Sequence, residues 1–258
     1  TGFASVPDVD IGMLSDYESM KQHLTTQIVG AKNNSDKLKD VPHQMMEDMA
    51  VVYRFQVGEV SSGQASILIT NQMLELYGIT QEQDALEMSQ KNEPVSIKNM
   101  DEIIYEMSDG FMGSIENPES ALWVATNESR FNGASVIAYP DFMERAAQQL
   151  DGGFYLLPSS IHETLLISDA FGMKAKELKE MVTQINAAEI RPEEKLTDNA
   201  YHYDADAKVF EQAENFEKRM EKAQEHKSVL DELKANKQIC KETEPKSHKA
   251  PKKDVPEL

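Results

Sequence analysis

The best local cluster of reactive side chains is the short run Pro158-Ser159-Ser160-Ile161-His162-Glu163. A serine becomes a nucleophile when a base lies within about 3 Å of its hydroxyl and donors wait for the developing oxyanion. Ser160 and His162 are two residues apart, so on a strand they share a face, with Glu163 alongside. The run lacks the Gly-x-Ser-x-Gly elbow that strains and exposes a nucleophilic serine. The expectation is that Ser159 and Ser160 cap a turn and that His162 satisfies a turn carbonyl or a nearby serine. A hydrolase built on Ser159, Ser160, His162 and Glu163 is the alternative.

A second set lies in Asn127-Glu128-Ser129-Arg130-Phe131-Asn132. Arg130 could grip a carboxylate or phosphate through its planar fork, flanked by Asn127 and Asn132. The competing expectation is a hairpin-loop arginine in water. Metal chemistry finds less support. His162-Glu163 has Leu166 where a second zinc-binding histidine would stand, so the His-Glu-x-x-His arrangement is missing. A single cysteine, Cys240, excludes zinc-finger spacing. Tyr201-His202-Tyr203-Asp204 could lend a histidine and a carboxylate to a distant site, but reads first as a surface strand with a partly buried tyrosine. Gly110-Phe111-Met112-Gly113 has no following Lys-Ser/Thr to make a phosphate loop. No cofactor and no metal are expected. Met45, Met46 and Met49 could form an adaptable groove for a partner.

The elements that must position these residues follow from pattern. Met20, Leu24 and Ile28 recur every four residues and predict a helix over 15–30. Val51–Val57 and Ala65–Ile69 predict a hairpin. Helices are expected at 72–77, from the Thr80-x-x-Gln83 capping box to about Lys91, and at 99–107. Leu122–Ala125 reads as a strand that Asn132-Gly133 returns as a second strand, Ala134–Tyr139. A helix from Pro140 ends at Gly152-Gly153, and strands follow at 154–157 and 164–167. A helix is expected at 174–187, an extended stretch at Tyr201–Tyr203, and a long helix from Asp206 to about Lys237.

The chain has 258 residues and is 40% apolar, enough to bury a core. Its net charge of −19 opposes a phosphate backbone and argues against direct nucleic-acid binding. Residues 71–121 carry eleven acids against Lys91 and Lys98. Solvated helix faces explain such a stretch, and imitation of DNA phosphates to block a DNA-binding protein is a further alternative. One cysteine suits a reducing compartment, and no apolar run approaches the roughly 20 residues a membrane span needs.

The runs Leu38–His43, Ala50–Phe55, Ala65–Asn71, Ala125–Asn127, Gly133–Pro140, Gly153–Glu163 and Asn199–Asp204 resemble, in order, a bacterial family known only as a domain of unknown function. The likeness spans about residues 15–205. It implies a cytoplasmic protein and supplies no activity, cofactor or catalytic residue. Similar members carry a further N-terminal segment, so Thr1 is expected to lie inside a longer protein.

These readings converge on an α+β fold of antiparallel hairpins packed against helices. The expected divisions are 1–205 for the domain, 206–239 for a C-terminal helix and 240–258 for a mobile Lys/Pro-rich tail. The expected role is non-catalytic binding of a protein partner in the cytoplasm, with no membrane contact.

Overall fold

The computed structural model describes residues 17–60, 63–73, 89–108, 120–158, 160–188, 190–191 and 194–242. It is an α+β fold with two antiparallel sheets. After a helical turn, α1 (Tyr17–Met20), comes β1 (Leu24–Gly30), then α2 (Ser35–Leu38), β2 (His43–Met46), β3 (Met49–Val60) and β4 (Gly63–Leu68). The long strand β3 organises this smaller sheet, with β1 along one edge and β2 and β4 on the other.

The larger sheet uses β5 (Val95–Asn99), β6 (Leu122–Asn127), β7 (Phe154–Leu157), β8 (Thr164–Ser168), β9 (Tyr201–Asp204) and β10 (Val209–Gln212). Its order is β10-β9-β7-β8-β6-β5. The intervening helices are α3 (Met100–Met107), α4 (Phe142–Gln149) and α5 (Ala175–Ala188), and α6 (Ala213–Glu242) follows β10. The described chain divides after Phe216: everything before it forms one compact unit, and α6 from Glu217 onward belongs to a second.

Every residue of β7 and β8 is buried because both faces of the larger sheet are covered. This is why Phe154–Leu157 and Thr164–Ile167 read as unbroken apolar runs rather than alternating ones. On one face Leu156, Leu166 and Ala125 meet Phe142 and Ala146 of α4, together with Val136 and Ile137. Trp123 packs at the margin of the same core. On the other face Tyr155, Leu157, Leu165 and Ile167 meet Ala175, Leu178 and Val182 of α5.

Three sequence expectations need correction. The predicted helix over 15–30 is one helical turn, a 3-10 turn at Lys21–His23, and then strand β1. Residues 24 and 28 share a face in a strand as well as in a helix. In β1 burial strictly alternates, with Thr26 on the buried side. The β-branched Thr25, Thr26, Ile28 and Val29 favour the extended form.

The predicted strand Ala134–Tyr139 is a 3-10 helix, Gly133–Ala138. Both edges of β6 are already taken, by β5 and by β8, so the returning chain has no ladder to join. Finally, the last helix begins at Ala213 rather than Asp206, because Val209–Gln212 pairs with β9. Asp204 closes the turn between those strands by accepting from the amides of Asp206 and Ala207.

The helix over 99–107 is present as α3 with a full capping box. Asn99 accepts from the Asp101 amide, and Glu102 accepts from the Asn99 amide. Most of the helices expected at 72–77 and from Thr80, the Gly110–Gly113 loop, and the tail from residue 243 on lie outside the described residues. None of the described helices is long and apolar enough to cross a membrane.

Candidate functional site

Strand β6 ends at Thr126 and Asn127, beside the loop that joins β7 to β8. The fold thereby brings the two candidate sets into one corner: Asn127, Arg130 and Asn132 from one loop, and Ser160, His162 and Glu163 from the other. Ser159 lies outside the described residues.

The two loops are tied by hydrogen bonds that engage Nδ1 and the carbonyl of His162. The Asn132 amide donates to Nδ1 of His162 at 3.3 Å. The Thr126 hydroxyl donates to the His162 carbonyl at 2.8 Å, and the Ala134 amide donates to the Ile161 carbonyl at 3.2 Å. Oγ of Ser160 accepts from the backbone amide of His162 at 3.1 Å, an ST-type turn. The serine–histidine relation is thus hydroxyl to backbone, and the imidazole nitrogen nearest the fold serves the opposite loop. The phenyl ring of Phe131 packs against the imidazole with centroids 5.8 Å apart. His162 accepts from an amide of the opposite loop; the expected partner, a turn carbonyl or a serine, is not the one the ring uses.

Local backbone explains the sequence. Asn132 is buried in the left-handed region, with φ 53°, which asparagine tolerates better than most residues. A Cβ at Gly133 would run into Thr126 Oγ1, come within 2.5 Å of the His162 carbonyl oxygen and lie 2.8 Å from the Asn127 nitrogen. Only glycine fits there, so Asn132-Gly133 marks a close approach of two loops rather than a hairpin. Ser135 then anchors the 3-10 helix: Thr26 of β1 donates to its Oγ at 3.0 Å, and that hydroxyl faces the Asn132 carbonyl at 2.9 Å.

Asn127 donates through Nδ2 to the Phe131 carbonyl at 2.9 Å, and its buried Oδ1 has no hydrogen-bond partner among the described residues. Arg130 is exposed, with φ 57°. It stands between two open depressions, one beside Glu128 and Arg145 and one beside Glu163 and Thr126. Glu93, buried near the start of β5, sits beside Ser129 of the same turn. Burial raises its carboxyl above the ordinary value, the Ser129 hydrogen bonds pull it back, and Glu128 raises it again.

The Asn199–Asp204 run has a different task. Asp48, in the β2–β3 turn, accepts from the Thr197 hydroxyl at 2.7 Å, from Asn199 Nδ2 at 3.0 Å and from the Tyr201 hydroxyl. Burial, and then the Asp48 carboxylate, raise the Tyr201 phenol well above its ordinary value. His202 is buried, stacks on Phe216 and faces Asp169 at 3.3 Å. Its partners make it part of the core rather than one donor of a distant metal site. Among the described residues no group of three or more His, Cys, Asp or Glu is placed to hold a metal ion.

Sequence reasoning passed over one concave feature. A cleft of about 230 Å³ lies beside α2, with Arg54 of β3 in its wall. An arginine inside an apolar strand run could have flagged it.

The fold and the corner define an α+β protein whose motif-bearing loops are bound to each other. The chain belongs to a family of unknown function, DUF5688, whose profile covers residues 4–205. No curated protein and no solved structure matches it.

Proposed function

We propose that this is a cytoplasmic binding protein without catalytic activity, and that it engages a protein partner through the outer part of α6. The observation that carries this reading is the exposure of Val229, Leu230 and Leu233, which are 54%, 55% and 60% accessible. Residues three and four apart on a helix are neighbours, so these three form one apolar patch. Apolar helical faces of this kind are read by grooves or helices of partner proteins. The engaged state of Ser160 and His162 supports the non-catalytic half of the proposal. The DNA-mimic alternative rests on the acidic 71–121 stretch, much of which lies outside the described residues.

The test is photo-crosslinking from position 230 in the native host, compared with the exposed polar position 222. A discrete protein adduct from 230, lost when Val229 and Leu233 are changed to Ser, is the expected result. Equal labelling from 222 and 230 contradicts the surface. Turnover of any substrate in an esterase, phosphatase and peptidase panel, reduced about a hundredfold by His162→Asn, contradicts the non-catalytic reading.

A further inference from the structure

The outer face of the smaller sheet holds a charge that its surroundings do not balance. Arg54 of β3 pairs directly with Leu68 of β4 and shares a face with Val52 and, from β1, Gln27. Its Nε donates to Ser66 Oγ at 2.7 Å, Nη1 to Gln27 Oε1 at 3.0 Å and Nη2 to the Ser66 carbonyl at 3.2 Å. All three acceptors are neutral. A guanidinium has five N–H groups, so one remains on each terminal nitrogen. Burial pushes the Arg54 guanidinium below its ordinary value, the sign of a cation that has lost water without gaining an anion.

The cleft around it is equally one-sided. Its lining includes Arg54, Lys37 and Lys195 and no acidic residue among those described, in a chain with 45 acids and 26 bases. Lys195 is held by Asp198 at 2.7 Å, which leaves Arg54 and Lys37 to set the local field. Beside the cations stand Leu38, Val41, Val52 and Leu68, part of a small apolar cluster. A volume of about 230 Å³ lies just under the roughly 300–1,000 Å³ of drug-sized sites.

We propose that this cleft binds a small organic anion, its carboxylate or phosphate head between Arg54 and Lys37 and its apolar body against Val52, Leu68 and Leu38. The planar fork of arginine suits both head groups. The apolar wall excludes a bare inorganic ion as the best ligand. The lining residues of this cleft all belong to the first unit, so its failure would leave the partner-binding reading untouched.

The experiment is calorimetric titration of the full chain with acetate, hexanoate, inorganic phosphate and butyl phosphate at matched ionic strength. Hexanoate or butyl phosphate should bind saturably and at least about tenfold more tightly than acetate or phosphate, since each buried methylene adds about 0.8 kcal/mol. The better of the two identifies the head group. Arg54→Gln should weaken that ligand about tenfold or more, the size of a lost charge-assisted hydrogen bond. Lys37→Gln, at an exposed position, should weaken it severalfold and decides the matter if Arg54→Gln fails to fold. No saturable binding at roughly 10 mM, a millimolar scale at which even weak sites respond, overturns the proposal. So does affinity unchanged by Lys37→Gln, or acetate binding as tightly as hexanoate.

Discussion

At the corner where β6 meets the β7–β8 loop, Thr126, Ser160 and His162 bond to backbone, and Arg130 is exposed. In the cleft beside α2 the reverse holds: Arg54 is half-buried and its described partners are all neutral. The corner resembles a lock: its two loops are bonded to each other through Thr126, Asn132 and His162. The cleft keeps an unbalanced charge that a ligand could meet. Residue type is therefore a weaker guide to function than the account of what each polar atom already bonds, because a satisfied group has little left to offer a substrate.

The largest effect should fall on the scaffold both regions share. Leu156 is fully buried in the core under α4, and Leu156→Ala should cost about 2–5 kcal/mol in denaturant melts. A cost under about half a kcal/mol would remove that core from the account. At the corner, Gly133→Ala should cost about 1–3 kcal/mol, because the added methyl meets a carbonyl and an amide that cannot both move. Near-neutral behaviour would show that the two loops are not locked.

Charge sharpens the contrast. Arg54→Met should change stability by no more than about 1 kcal/mol, since a partly buried charge without an ionic partner adds little to a fold. A loss of several kcal/mol would make Arg54 structural. Beside the corner, Glu93 has a raised carboxyl value in the folded state, chiefly through burial. Its contribution is thus fully present below the unfolded value and declines as pH rises through the folded one. Glu93→Gln should melt like wild type in acid and higher than wild type at neutral pH. The opposite order at neutral pH would mean that Ser129 stabilises the ionised form more than burial penalises it.

Much of the fold was legible where pattern has one physical meaning. The hairpin of β3 and β4, the unbroken runs of β7 and β8, and the helix α3, though not its cap, were readable from the sequence. Ambiguity arose where two periods coincide, as at Leu24 and Ile28, or where context withholds a partner, as at Ala134–Tyr139. Val209 misled because an apolar residue four before Ala213 extends a helical stripe while its backbone pairs with Asp204. Turn residues marked the corner, but nothing local announced that Asn132 and His162 would meet across thirty residues. Arg54 was hidden for the same reason, since its neighbours Gln27 and Ser66 come from other strands.

His162 is a latch between two loops, acting through Nδ1. The most direct measurement compares His162→Asn with His162→Ala, because the asparagine oxygen can take the place of Nδ1 while nothing replaces Nε2. Denaturant melts and hydrogen exchange at the Asn132 amide are read together. The account predicts that His162→Asn stays close to wild type in both, while His162→Ala loses about 1–2 kcal/mol and the protection of that amide. If the asparagine variant is as damaged as the alanine one, or if neither loses protection at Asn132, the latch is not what holds this corner.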